Sequence, residues 1–259
     1  MASTVLIERN QTIATVTLNK PEKLNALDLE MWRGLALAFN ELSADDSLRC
    51  IILRGAGERA FAAGADIAEF SSVRSTVAQA RAFADITHAA MQAIVSCRHP
   101  VIAMIRGACV GGGLEVASVC DMRICGASSR FGIPVKRLGL VVSYSELDPL
   151  VSLVGSAVAL EILLEGRVFD AAEALAKRLV NRVVADDDLG KEVDAAAQRI
   201  AEGAPLVARW HKKFVRRLAD PAPLTAAERD ECHACFETED FRIGYQAFLD
   251  KSQAFFKGR

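Results

Sequence analysis

The chain has 259 residues, 51% apolar and 25% charged, with a formal net charge of −2 and a pI near 6.1. That length suits one large domain or a core with a smaller appendage, and the balanced charge gives no basic field for nucleic acid or a membrane surface. Seven cysteines, odd in number and scattered, do not make a secreted disulfide framework.

The start, Met1-Ala2-Ser3-Thr4-Val5, has neither the basic region nor the apolar core of a signal peptide. Val5 to Arg9 and Ile13 to Leu18 alternate around Asn10-Gln11 and predict an antiparallel hairpin. Asp28 is an N-cap for an amphipathic helix carrying Met31, Leu35, Leu37, Phe39 and Leu42. Cys50 to Leu53 is a short buried strand, Val77 to Cys97 a long helix, and Val101 to Ile105 the strand that enters a glycine turn. Asp121 to Cys125 and Arg130-Phe131-Gly132 are further extended pieces, and the alternation indicates an α/β architecture. The longest uncharged stretch, Pro149 to Leu160, is too short to span a bilayer, so a cytoplasmic protein is expected.

After Val184 the composition becomes helical, opened by Asp186-Asp187-Asp188 and broken at Gly203-Ala204-Pro205 and Pro221-Ala222-Pro223. A boundary near residue 195 divides a core, 1–195, from a helical C-terminal region, 196–259. The basic run His211-Lys212-Lys213 with Arg216-Arg217 reads as a solvated helix face. Cys232-His233-Ala234-Cys235 has a metal-like spacing but no second pair, and reads as reduced cysteines on a helix.

The chemistry concentrates at Cys109-Val110-Gly111-Gly112-Gly113-Leu114-Glu115. A strand that breaks at glycines and restarts as a helix leaves N–H groups without intrahelical partners, and the helix dipole suits them to a developing negative charge. Gly112 and Glu115, three residues apart, share a helix face. One turn therefore offers an anion-stabilising donor beside a candidate general acid or base, or simply a glycine-rich turn with an early helix charge. The run Gly107 through Gly113 fits neither a P-loop nor a dinucleotide fingerprint.

Arg59-Ala60-Phe61-Ala62-Ala63-Gly64-Ala65-Asp66-Ile67, together with Leu18-Asn19-Lys20-Pro21-Glu22-Lys23-Leu24-Asn25-Ala26-Leu27, closely resembles the enoyl-CoA hydratase/isomerase (crotonase) family. The likeness continues through Arg98-His99-Pro100-Val101, Gly166-Arg167-Val168-Phe169-Asp170-Ala171, Leu179-Val180-Asn181-Arg182 and Glu239-Asp240-Phe241, in the family's order. It implies a spiral of ββα units with a helical C-terminal region for oligomerisation and CoA covering, assembled as a homotrimer or homohexamer. It also implies an acyl-CoA substrate, with coenzyme A as its thioester part and no tightly bound cofactor or metal. By position, the N–H groups of Ala65 and Gly112 would form an oxyanion hole, with Glu115 as the proton-transfer group. CoA would lie along Ala63, Ala65, Asp66, Ile67 and Gly111, with Lys23 near its nucleotide and Lys251 able to reach its phosphates.

The resemblance breaks in two neighbouring segments. Family hydratases carry a second glutamate after the proline of Phe131-Gly132-Ile133-Pro134, where this chain has Val135. Valine can neither activate water nor deliver a proton. The following segment, Gly139-Leu140-Val141-Val142-Ser143-Tyr144-Ser145-Glu146, replaces the family's small residues with polar and bulkier ones. Glu146 is a candidate for the missing acid and Tyr144 for a decarboxylase-type tyrosine; Ser143, Ser145 and Glu146 equally fit a helix cap. The expected activity is that of an enoyl-CoA hydratase or isomerase. The alternatives are an acyl-CoA decarboxylase or thioester hydrolase of the same superfamily, or a non-catalytic acyl-CoA-binding protein.

Overall fold

The computed structural model describes residues 3–259; Met1 and Ala2, part of the start inspected for a signal peptide, lie outside the described residues. Strands β1 (Val5–Asn10) and β2 (Ile13–Leu18) form the expected hairpin, with Val5 opposite Leu18 and Asn10 opposite Ile13. Helix α1 (Leu29–Ala44) starts at Asp28, whose carboxylate accepts the Met31 N–H at 2.8 Å. Its buried stripe is Met31, Trp32, Leu35, Ala38, Phe39 and Leu42. Leu37 departs from the expected face and is 71% exposed. At 100° per residue it lies about 200° from Leu35, on the far side of the helix.

Three rounds of strand, strand and helix follow. The first is β3 (Cys50–Gly55), β4 (Ala60–Ala62), the one-turn α2 (Phe70–Val73) and α3 (Val77–Ser96). The second is β5 (Val101–Ile105), β6 (Ala108–Val110) and α4 (Gly112–Val119). The third is β7 (Met122–Gly126), β8 (Arg130–Gly132) and α5 (Tyr144–Glu165). Each round gives one strand to each of two sheets. The larger has the order β1-β2-β3-β5-β7-β10 and the smaller β4-β6-β8-β9, closed by β9 (Phe169–Asp170), α6 (Ala171–Ala176) and β10 (Arg182–Val184). This is a crotonase-like α/β spiral. The sequence predicts β5 running straight into the glycine turn; the chain instead crosses at Arg106-Gly107, and β6 in the small sheet enters it.

The parallel part of the large sheet is covered on both faces, which explains its continuous apolar strands. Ile51, Leu53, Val101 and Ala103 point into the main core with α1, α3 and α4, whereas Cys50, Ile52, Ile102 and Ile124 point to the other face. That second face is covered by α7 (Leu189–Ala201) through Leu189, Val193, Ala196 and Ala197. The boundary expected at 195 therefore falls inside a helix that belongs to the core. The chain leaves the core near Gly203, before α8 (Pro205–Arg217), α9 (Ala226–Asp230) and α10 (Glu239–Leu249).

The basic run on α8 is a solvated face only in part: His211 and Lys213 are exposed, whereas Lys212 and Arg216 turn to the core. The Lys212 ammonium sits 2.8 Å from the His99 carbonyl oxygen and 2.8 Å from Asp121, and Arg216 donates to the same Asp121 at 2.8 Å. These cations fasten the C-terminal helices to the sheet, filling a carboxylate and a carbonyl that would otherwise be left at the seam. Helix α5, at 22 residues, is long and apolar enough by composition to cross a membrane. It is two helices in fact, broken where Gly155 takes φ 77° and ψ 162°. Cys232 and Cys235 lie on a 3₁₀ turn, Glu231–Glu237, and among the described residues no group of three His, Cys, Asp or Glu side chains is gathered as a metal would need.

Candidate active site

The site begins with Asn25, fully buried and held at φ 54°. Its side chain accepts the Lys20 N–H at 3.0 Å and donates to the carbonyls of Ala56 and Ala60 at 3.0 and 2.8 Å. That fixes Leu24–Leu27 alongside residues 63–66. Ala63 N–H donates to Leu24 at 3.0 Å, Leu27 N–H to Gly64 at 2.8 Å, and Asp66 N–H to Leu27 at 2.9 Å. Leu27 thus pairs in parallel with Ala65 through the residues on either side of it. In such a bridge the facing residue's own N–H points away from the partner segment. The Ala65 N–H accordingly bonds to no other protein group among the described residues.

Strand β6 delivers the second donor. Gly111 takes φ 53° and ψ −125°, a conformation closed to side-chain-bearing residues, and its carbonyl accepts the N–H groups of Leu114 and Glu115 at 2.8 and 3.0 Å. Gly112 then opens α4, and its N–H has no intrahelical partner. The two segments abut. A Cβ on Gly64 would lie 3.9 Å from the Gly112 nitrogen, and one on Gly112 would lie 3.7 Å from the Ala65 nitrogen. At Gly113 a Cβ would come within 2.3 Å of the Ala62 carbonyl oxygen, so only glycine lets α4 start this close to β4.

Both donors border a cavity of about 260 Å³ with predominantly apolar walls from Trp32, Phe70, Phe83 and Val142. Glu115 lines the same cavity, three residues into α4, and its carboxyl makes no hydrogen bond to protein among the described residues. Burial, with a smaller contribution from the neighbouring Glu146 carboxylate, pushes its pKa up to about 8; the Arg74 charge opposes this weakly. The group is thus neutral over much of the physiological range and unencumbered.

Glu146 also lines the cavity. It sits in the first turn of α5, where one carboxylate oxygen accepts the Ser143 N–H at 2.8 Å and the Ser143 hydroxyl at 2.6 Å. The capping reading and the cavity reading are therefore both true of this residue: the cap aims it. Val135 lines the cavity as a purely apolar wall. Tyr144 does not join the site. Its side chain is 93% exposed, because the first turn of α5 that points Glu146 inward turns Tyr144, two residues earlier, outward.

Of the expected CoA contacts, Ala63, Ala65, Ile67 and Gly111 line the cavity. Asp66 and Lys23 stand outside it as an ion pair at 2.7 Å, which holds the Asp66 carboxyl below and the Lys23 ammonium above their ordinary pKa values. Lys251 follows α10, exposed, with φ 53°, and is not brought to the cavity. Sequence reading missed Trp32, Phe70, Arg74 and Phe83, which reach the cavity from α1, α2, the residue capping α2, and α3.

The alternating two-sheet spiral, with its cavity between a glycine turn and a capped helix, defines a crotonase-like enzyme. A family description, enoyl-CoA hydratase/isomerase, matches residues 8–259. A solved enoyl-CoA hydratase/carnithine racemase from Magnetospirillum magneticum superposes with a TM-score of 0.98 at 50% identity, covering 100% of this chain and 97% of that one. A Mycobacterium bovis protein named "Probable enoyl-CoA hydratase echA8" is 36% identical over 96% of this chain and 95% of its own length. The short-chain-enoyl-CoA hydratase of Clostridium acetobutylicum is 32% identical over 95% of each. The chain belongs to the enoyl-CoA hydratase/isomerase family and is an acyl-CoA enzyme of that superfamily.

Proposed function

We propose that this enzyme hydrates an α,β-unsaturated acyl-CoA, with Ala65 and Gly112 as the oxyanion hole and Glu115 and Glu146 as the two acid–base groups. The observation that carries this reading is that Glu146 faces the cavity of Glu115, supplying a carboxylate where Val135 supplies none. The Glu146 carboxylate takes a proton from water, and the water oxygen forms a bond to the β-carbon. The C=C electrons shift toward the carbonyl, and the charge on the thioester oxygen is met by the two N–H donors. Protonated Glu115 then gives its proton to the α-carbon. The exchange of one proton between Glu146 and Glu115 through solvent resets the site. Backbone donors do this without reorganising, and loss of one costs roughly 100-fold or more.

CoA enters as part of the substrate, along Ala63, Asp66, Ile67 and Gly111. Lys23 exchanges its Asp66 partner for a CoA phosphate, and Lys251 reaches a phosphate as well, within a homotrimer or homohexamer. The protein works in the cytoplasm, without nucleic acid or membrane partners. A decarboxylase reading, which leaned on Tyr144, has no support from a side chain 93% exposed. The test is turnover of crotonyl-CoA in ¹⁸O-labelled water. Label at the β-carbon of the product is expected; a shifted double bond without label would make the enzyme an isomerase.

A further inference from the structure

Arg74 lines the same cavity as Glu115, yet no step of hydration uses it. Its guanidinium carbon lies 4.4 Å from the centre of the Phe83 ring and 4.9 Å from that of Phe70. The two rings hold the cation by cation–π attraction and fix its direction, but they satisfy none of its five hydrogen-bond donors. Arg167 and Arg217, by contrast, pair with Glu165 at 2.6 Å and Glu228 at 2.5 Å. Among the described residues Arg74 has no ion pair and no side-chain hydrogen bond, and neither Glu115 nor Glu146 bonds to it.

Arg74 is only partly buried, and its guanidinium donors, without a protein partner among the described residues, stay open to a charged group that enters the cavity. The position indicates what arrives. Phe83, on whose ring the cation rests, and Thr87, also on the cavity lining from α3, are 6% and 3% exposed, so the guanidinium lies against a buried stretch of the cavity wall. The exposed cations, Arg137 on the cavity lining and Lys23 outside it, are better placed for strongly hydrated phosphates. A planar guanidinium fork with free donors matches a carboxylate bidentately.

We propose that Arg74 binds a carboxylate on the acyl group, so that the substrate class is the CoA monothioester of an unsaturated dicarboxylic acid. The inference rests on the acyl-CoA reading above and specifies the acyl group. The remaining cavity surface, Phe70, Phe83 and Val142, then packs the carbon chain between thioester and carboxylate.

Calorimetric binding of three unreactive ligands tests it: glutaryl-CoA, butyryl-CoA and free CoA, against the wild type, Arg74→Gln and Arg74→Lys. The wild type is expected to bind glutaryl-CoA roughly 30-fold tighter than butyryl-CoA, as for hydrogen bonds to a charged group. Arg74→Gln should abolish that preference while leaving the affinity for free CoA unchanged, which also shows that the variant is folded. Arg74→Lys should keep part of it. Equal binding of both thioesters by the wild type overturns the proposal. So does a parallel loss of all three ligands in Arg74→Gln, which would place a CoA phosphate on Arg74. A wild type that turns over no enoyl thioester but still prefers glutaryl-CoA supports the dicarboxylate assignment while removing the hydratase reading, so the two can fail separately.

Discussion

The cavity has two walls of opposite character. One, from residues 63–65, 110–112 and 115, is backbone chemistry set against the core: Ala62, Gly113 and Leu114 behind it are buried, and glycines make the contacts that side chains would prevent. The other, from Pro134 to Glu146, is side-chain chemistry near solvent, with Leu138 49% and Val141 90% exposed. The first wall holds donors that cannot be changed without moving strands. In the second, Val135 offers no acid, and the helix cap that holds Glu146 turns a carboxylate to the cavity. The contrast teaches that the two free N–H groups are fixed by the fold, while the second carboxylate depends on a replaceable turn.

The largest expected effect comes from Glu115→Gln, which removes the proposed proton donor of the fixed wall. kcat/KM should fall by about 10³-fold, within the range for a positioned general acid. Stability should move the other way. Burial raises the Glu115 pKa from 4.5 to about 8 in the folded protein. Between those values the folded state binds more protons than the unfolded one, so this group's contribution is fully present below about 4.5 and is lost as pH rises through about 8. Glutamine carries no such penalty. Melting curves at pH 9 should therefore show Glu115→Gln more stable than wild type, by on the order of a few kcal/mol. In the wild type, kcat/KM should decline as pH rises through about 8, as a required acid ionises. A rise through the same pH would exchange the roles of Glu115 and Glu146.

Gly112→Ala comes next. Its Cβ would lie 3.2 Å from Leu27 Cδ1, 3.5 Å from Trp32 Cζ2 and 3.7 Å from the Ala65 nitrogen. The two side chains can yield by a few tenths of an ångström, so the protein should fold. The methyl nevertheless crowds the space between the two donors, and kcat/KM should drop by roughly 10²–10³-fold with kcat carrying most of it. Retention of full activity would mean that the thioester oxygen binds elsewhere.

The same division governs what the sequence shows. The hairpin, the Asp28 cap and the glycine turn follow from local rules, period-2 alternation, capping and positive φ, and all are found in the structure. The unpaired N–H of Ala65 depends on Asn25, forty residues earlier in the chain. A contact of that kind is visible only through family likeness or coordinates. Arg74 left no signal at all, because nothing local distinguishes an arginine between two phenylalanines from a surface charge. The docking of Lys212 and Arg216 is hidden for the same reason: their partner, Asp121, lies 91 residues before Lys212.

On the replaceable wall, Glu146→Gln should lower kcat/KM by roughly 30–100-fold, since an amide cannot take the proton from water. Unlike Glu115→Gln it should slightly destabilise the protein, by about 0.5–1 kcal/mol, because the Ser143 N–H and hydroxyl lose a charged acceptor. The two glutamine variants therefore shift stability in opposite directions while both reduce turnover. If Glu146→Gln leaves turnover unchanged, Glu146 serves only as a cap, and the hydratase reading loses its second carboxylate.

The smallest effect isolates the cap from the acid. Ser143→Ala removes the hydroxyl that donates to Glu146 at 2.6 Å but keeps the backbone N–H that donates at 2.8 Å. Glu146 then has one tether instead of two and is free to swing toward solvent. kcat/KM should fall only about three- to tenfold, the penalty of a looser base rather than a missing one. The loss should show in kcat more than in KM, since thioester binding depends on the other wall. Ser143→Thr keeps the hydroxyl and should restore most of the rate. Failure of threonine to do so would show that α5 as a whole, and not the hydroxyl, positions Glu146.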